Sequence, residues 1–141
     1  MDPREKLYRD IRETITERVK VVQHVGLWNE DVAFAEEDSS WPRPAVFVEF
    51  GEITWSTVKP TADGHVARGS GDLRLHVVTD WEDDDYEENF TISEDIWVAL
   101  ESIPDCVDYQ VRYPSISQTN HSHMELLENV DVFRVVYQKI W

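Results

Sequence analysis

Apolar residues at helical spacing open the chain. They follow at intervals of four residues and finally three, at Leu7, Ile11, Ile15, Val19 and Val22. One apolar stripe among charged residues predicts an amphipathic helix. Asp2 is a good N-cap, Pro3 suits the first helical position and Gly26 suits a stop. We therefore predict a helix over residues 3–23.

The middle of the chain has the patterns of strands. Residues 45–50 are almost continuously apolar, which is typical of a strand buried on both faces, and Gly51 breaks or bulges it. Residues 52–57 alternate between polar and apolar, and residues 72–79 form a clear strand. Residues 59–71 contain one proline and three glycines, which predicts a long mobile connection or a hairpin arm.

Two further regions complete the pattern. Residues 32–35 suggest an extended segment, followed by a loop through the prolines at 42 and 44. Ser93 is predicted to cap a second helix that Pro104 ends. Two closing strands are predicted at residues 109–116 and 130–140, with residues 117–129 as their connection.

The order of these elements indicates the fold class. A helix, several strands, a helix and two strands predict an α+β fold, in which two helices pack on one face of a mainly antiparallel sheet. The length suits a single domain over residues 1–141.

The charge limits the partners that the chain can bind. With 13 basic and 29 acidic residues, the formal net charge is −16, so phosphates of nucleic acids and anionic membrane surfaces repel the chain. DNA that slides past without sticking remains compatible with this charge. One cysteine allows no disulfide within the chain, and neither a signal-peptide core nor a membrane-length apolar run is found. We expect a protein made in a reducing cytoplasm.

Motifs for catalysis or cofactor binding are not found. The chain has no glycine-rich phosphate loop, no GxSxG elbow and no HExxH. Cys106 lies in an acidic setting that disfavours a reactive thiolate. We therefore expect no enzyme activity and no cofactor. The acidic residues 82–85 are interpreted as a solvated loop.

One cluster resembles a metal site. His121, His123 and Glu125, with His76 elsewhere in the chain, have ligand types that zinc prefers. Asn120 and Ser122 are turn residues, which favours the simpler interpretation that the histidines bond to backbone groups. We predict no metal.

The six tryptophans separate into two groups. Trp55, Trp81 and Trp97 lie in or beside predicted elements, where they are expected to pack in the core. The other three lie in irregular segments or at position 141, where large aromatic residues are often interface anchors. These are Trp28, Trp41 and Trp141. The alternative is that each covers its own sheet.

Several short runs together resemble the tail-terminator or tail-completion proteins of long-tailed bacteriophages. The runs are Leu27-Trp28-Asn29, Trp41-Pro42-Arg43-Pro44-Ala45-Val46-Phe47-Val48-Glu49-Phe50, Ile53-Thr54-Trp55, Leu75-His76-Val77-Val78-Thr79-Asp80 and Ser117-Gln118-Thr119-Asn120-His121-Ser122-His123. The resemblance covers most of the chain.

The resemblance implies a structural role in the virion. Proteins of this type form a ring, commonly of six subunits, that caps the tail tube, stops its growth and joins it to the head connector or neck. The expected partners are other copies of the chain, the tail tube protein and the connector, and assembly takes place in the host bacterial cytoplasm. The candidate interface residues are Trp28, Trp41, Lys59, Pro60, His65, Arg68 and Trp141.

Other functions stay open at this point. A neck protein or a head–tail adaptor would have similar size and topology. The charge also suits an acidic DNA mimic that inhibits a DNA-binding enzyme. The histidine cluster suits a small metal-dependent hydrolase.

Overall fold

A computed structural model describes residues 2–28, 41–81, 86–123 and 126–141, with the backbone alone for Thr57 and residues 121–123. The helices and strands are α1 (Pro3–Arg18), β1 (His24–Leu27), β2 (Ala45–Thr61), β3 (Gly64–Asp80), α2 (Tyr86–Glu101), β4 (Tyr109–His123) and β5 (Leu126–Ile140). The segment predicted at residues 32–35 and the acidic residues 82–85 lie outside the described residues.

Helix α1 begins where the sequence predicts and ends earlier. The Asp2 side chain accepts a hydrogen bond from the Arg4 backbone N–H at 2.9 Å, which caps the helix. Val19 leaves the helical conformation, and the Val22 N–H bonds the Val19 carbonyl at 3.1 Å in a turn. Val22 still packs on the core from this turn, which explains why the apolar spacing continues past the helix.

The described strands form one five-stranded sheet in the order β1-β2-β3-β5-β4. Strand β1 runs parallel to β2, and every other neighbouring pair is antiparallel. The predicted α+β fold with a mainly antiparallel sheet is therefore confirmed. Gly26 lies inside β1 opposite Phe47, so the prediction that it stops the first helix is wrong.

Both helices pack on the same face of this sheet, which we call the helix face. The main core joins residues of both helices to those of β2, β3, β4 and β5. Its fully buried side chains include Leu7, Ile11, Ile15, Val46, Val48, Leu73, Leu75, Val77, Ile92 and Ile96. The opposite face, here called the open face, carries a smaller cluster of Trp41, Ala45, Phe47, Val78 and Leu126.

Residues 59–71 form part of a hairpin of long strands, so the predicted mobile connection is wrong and the alternative of a hairpin arm is confirmed. Strands β2 and β3 pair as far as Thr61 and Gly64, which leaves a two-residue turn. A Cβ atom on Gly69 would lie 2.7 Å from the Thr54 carbonyl oxygen. This glycine therefore marks a close approach of two strands beside a bulge rather than a flexible segment.

The second helix begins at Tyr86, so Ser93 is not its cap. Ser93 is buried inside α2, and its hydroxyl donates to the Asp131 carboxylate on β5. A serine that bonds a buried carboxylate resembles a helix cap in sequence, because both uses need a short hydroxyl side chain.

The predicted connection over residues 117–129 is also largely strand. Its polar residues pair across β4 and β5, which makes the region resemble a turn in sequence. The Ser117 hydroxyl donates to Asp131 at 2.5 Å, and the Thr119 hydroxyl donates to Asn129 at 3.0 Å.

Candidate interaction surfaces

Apolar side chains of the helix face stay exposed near the turn of the β2–β3 hairpin. Trp55, Val58 and Trp141 are 37%, 58% and 54% exposed. Together with Ala67 they line a depression of about 490 Å³. We call these four residues the hairpin-end patch. Exposed tryptophans grouped in this way are typical of protein interfaces.

Two cations border the hairpin-end patch. Arg4 and Lys139 line the same depression, and both contact the Asp2 carboxylate, at 3.0 Å and 3.6 Å. The side-chain hydrogen bond from Arg4 holds the pKa of Asp2 well below its usual range. Two cations and one carboxylate therefore lie at the border of the patch, in a protein whose charged residues are mostly acidic.

Trp141 is tied to the hairpin turn. Its backbone N–H and carbonyl both bond the backbone of His65, at 3.0 Å and 2.5 Å, and the two rings stack with centroids 5.3 Å apart. A Cβ atom on Gly64 would lie 2.0 Å from the Trp141 carbonyl oxygen, so this approach requires glycine. The indole is thereby held in place while half of it stays exposed.

The outer edge of β2 is poorly suited to pairing with another strand. His65 bonds Trp141 through both backbone groups, so its partner Pro60 directs its backbone nitrogen toward the free edge. That nitrogen has no hydrogen to donate. Two bulges interrupt β2, and β4 at the other edge has register shifts around Pro114. Such features discourage edge-to-edge association, so side chains are the better candidates for contact.

Helix α2 carries a second exposed apolar surface. Tyr86, Phe90, Trp97 and Val98 are all exposed, and we call these residues the α2 ridge. At 100° per residue, the three aromatic side chains fall on one narrow stripe beside the buried face. A groove of about 460 Å³ separates Trp97 from Tyr113 and Pro114 of β4.

A line of carboxylates follows the α2 ridge. Glu87, Glu94 and Glu101 recur every seven residues, which places them on one stripe next to the aromatic side chains. All three are exposed, and α2 contains no Lys or Arg. Glu101 stands at the negative end of the helix dipole, where a carboxylate is unfavourable unless a cation lies near.

The structure brings five of the seven predicted interface residues to the hairpin end. Pro60, His65 and Trp141 share the helix face near the turn. By strand alternation Lys59 and Arg68 point to the open face, where the Arg68 side chain bonds Gln138 at 3.1 Å.

The other two predicted anchors lie at the far end of the sheet and have contacts within the chain. Trp41 is 5% exposed and packs edge-on against Phe47, with ring centroids 5.1 Å apart. Trp28 is half-buried and stacks on His76 at 3.6 Å. Exposure therefore gives no support to Trp41 as an interface anchor, and the alternative that it covers its own sheet accounts for its burial.

His76 is held between two carboxylates on the open face. Its Nε2 lies 2.9 Å from Glu49 Oε1, and its Nδ1 lies 3.0 Å from Glu128 Oε2. An imidazolium ring can donate to both oxygens, whereas a neutral ring donates to one. With Trp28 stacked on the ring, this buried group holds three elements together and offers no open position to a substrate.

The residues considered for catalysis and metal binding do not form a site in the part of the chain that the structure describes. The side chains of His121 and His123, and Glu125 as a whole, lie outside the described residues, so the cluster considered with His76 stays a hypothesis from the sequence. No group of three His, Cys, Asp or Glu residues with metal-holding geometry occurs among the described residues. The Cys106 thiol donates weakly to the Tyr109 carbonyl oxygen at 3.6 Å.

Sequence reasoning missed Trp55, Trp97 and the rest of the α2 ridge. The sequence predicts Trp55 and Trp97 in the core, and both are more than a third exposed. A helical projection that began at residue 86 would have found the aromatic stripe of α2. The predicted start at Ser93 cut this stripe in two, so the pattern was not recognisable.

Comparison of the chain with models of known protein families and with curated proteins found no match. Within the described residues, neither helix has the length and apolar character needed to cross a membrane.

Proposed function

We propose that this chain is a structural protein of a long-tailed bacteriophage, of the tail-terminator or tail-completion type. In this proposal its copies form a ring, and a hexamer is the first arrangement to test. The ring caps the tail tube and joins it to the head connector or neck. The observation that carries the proposal is the pair of separate exposed aromatic surfaces on one small domain, the hairpin-end patch and the α2 ridge.

Two separate surfaces suit a ring. A ring needs head-to-tail contacts, in which two different parts of the same molecule meet. The hairpin-end patch lies near the turn between β2 and β3, and the α2 ridge lies on a helix next to β4. Trp and Tyr at both surfaces are the residue types that most often dominate interface energies.

The charge also supports a channel through which DNA passes. Like charge between a wall and DNA lowers adhesion, and the net charge of this chain is −16. The resemblance in sequence supplies the type of ring, and the described α+β fold agrees with it. A neck or head–tail adaptor protein is the nearest alternative, since it would use the same surfaces.

An acidic DNA mimic is the alternative of another class, and the charge favours it. The carboxylates of α2 offer only three aligned groups, about 10 Å apart at 1.5 Å per residue. That spacing is wider than the phosphate spacing of DNA, and the neighbouring aromatic side chains have no counterpart on a phosphate backbone. The ring is therefore the better-supported function.

The test is binding to tail tubes, read together with native mass and negative-stain imaging. Purified chain is added to polymerised tail tubes of long-tailed phages, and tube ends and tube growth are examined by electron microscopy. We expect rings with a central hole on the tube ends and an arrest of growth. If the chain leaves the tube ends uncapped and instead competes with DNA for a DNA-binding protein, its function is that of an acidic DNA mimic.

In that experiment a point substitution tests the interface better than a truncation does, because it preserves the fold. Removing residues 59–71 would also remove much of the ladder between β3 and β5, so the fold would change. The substitution Trp141→Ser removes half-exposed apolar surface and keeps the backbone pairing with His65. Leu27→Ser, at an exposed apolar residue of β1, is the matched control.

A further inference from the structure

We propose that the hairpin-end patch of one copy packs against the α2 ridge of a second copy. This inference deepens the proposed function, because it names the two surfaces that would meet in a ring. It requires only self-association, so it is tested without tail tubes.

The two surfaces match in apolar character. The hairpin-end patch presents Trp55 and Trp141, and the α2 ridge presents Phe90 and Trp97. Aromatic rings that meet edge to face or offset gain more than the burial of their area alone. The His65 ring stacks on Trp141 and holds this side chain in place, so little of its conformational freedom is lost on contact.

The two surfaces are also opposite in charge. Arg4 and Lys139 border the hairpin-end patch, whereas Glu87, Glu94 and Glu101 follow the α2 ridge. In a protein of net charge −16, most contacts between two copies bring like charges together. This pairing brings cations to carboxylates, so electrostatics select it over other arrangements of the same two copies.

The end of α2 favours a cation from outside the helix. Its last turn carries Glu101 and no basic residue, so a carboxylate meets the partial negative charge of the helix end. Arg112 of β4 lines the groove beside Glu101, and Lys139 or Arg4 of a second copy would add further positive charge there.

A symmetric contact of two hairpin-end patches is the competing arrangement. It would set Arg4 and Lys139 of one copy against the same cations of the other, which is unfavourable. The two arrangements make different predictions for a charge reversal on the α2 ridge, because a contact between two hairpin-end patches does not use that ridge.

The experiment uses two single charge reversals and their mixture. Lys139→Glu places a carboxylate at the hairpin end, and Glu94→Lys places a cation on the α2 ridge. We expect each variant alone to dissociate about tenfold more readily than the original chain, measured by native mass spectrometry and light scattering at low salt. The mixture of the two variants should recover the original oligomer, since every hairpin end then finds an α2 ridge of opposite charge.

Controls separate this contact from effects on folding or on overall charge. Lys20→Glu makes the same charge change at an exposed residue after α1 and should leave the oligomer unchanged. Circular dichroism and thermal unfolding establish that each variant is folded. Trp141→Ser should weaken the oligomer at least as much as Lys139→Glu, and Leu27→Ser should not.

Each other outcome overturns the inference. A chain that stays monomeric even at about 0.1 mM has no self-contact of useful strength. Folded variants whose mixture does not recover the oligomer point to another surface, and a folded Glu94→Lys variant that keeps the oligomer points to a symmetric contact. In either case the proposed function is decided separately, by whether the chain caps tail tubes.

Discussion

Two buried tyrosines differ in what their hydroxyl groups contact. The Tyr109 hydroxyl donates to Asp10 Oδ2 at 2.5 Å and so joins β4 to α1. The Tyr137 hydroxyl is buried without a hydrogen-bond partner among the described residues. Burial raises the pKa of both groups, that of Tyr137 to about 12. Both hydroxyls therefore stay neutral, but only one of them stabilises the fold.

Removal of each hydroxyl should have opposite effects. We expect Tyr137→Phe to leave the free energy of unfolding unchanged or to raise it by up to about 1 kcal/mol, because an unpaired buried polar group is lost. Tyr109→Phe should lower it by about 1–2 kcal/mol, because a hydrogen bond to a carboxylate is lost. Urea unfolding of both variants measures the difference. A loss of more than about 1 kcal/mol in Tyr137→Phe would mean that its hydroxyl has a partner.

At the scale of elements, the β2–β3 hairpin depends on glycines that fit against a neighbouring strand. We expect Gly69→Ala to lower the free energy of unfolding by about 1–3 kcal/mol, since its Cβ would meet the Thr54 carbonyl oxygen at 2.7 Å and the Trp55 ring at 2.8 Å. Trp55 should move, which tryptophan fluorescence reports.

Gly26→Ala is the control for that substitution. Its Cβ would meet only the His24 side chain below 3 Å, and this side chain can rotate away. The cost should stay below about 1 kcal/mol. If both substitutions cost the same, the close approach at Gly69 is not what makes glycine necessary there.

The sequence predicted those elements whose periodicity comes from burial. The apolar stripe of α1 and the continuous apolar run of β2 lead directly to the correct element types, because one face or both must be buried. The predictions based on Gly69 and Ser93 are wrong, because each residue type suits two different structural settings. A glycine suits a loop or a close approach, and a serine suits a cap or a buried hydrogen bond, and only tertiary contacts decide between them.

At the scale of the whole molecule, the candidate surfaces were only partly predictable. Lys59, Pro60, His65 and Arg68 belong to the segment over residues 59–71, whereas Trp141 is a candidate only as a large aromatic residue. The structure gathers all five because β3 pairs with β5 as far as Trp141. The α2 ridge was not predicted at all. Its aromatic residues resemble core residues in sequence, and their exposure depends on which side of α2 faces the sheet.

The net charge of −16 should itself lower the stability of the fold. Raising chloride salt from about 0.01 M to about 1 M shortens the screening length from roughly 30 Å to roughly 3 Å, so repulsion among the carboxylates weakens. We expect the midpoint of thermal unfolding to rise by roughly 2–4 °C, which corresponds to about 1 kcal/mol at this size.

The triple variant Glu87→Gln, Glu94→Gln and Glu101→Gln changes the net charge to −16 + 3 = −13. It should be more stable than the original chain at low salt and gain less from added salt. A midpoint that falls with salt would mean that ion pairs such as Arg134 with Asp72 outweigh the repulsion, and that the carboxylates of α2 are spaced widely enough to be tolerated without a partner.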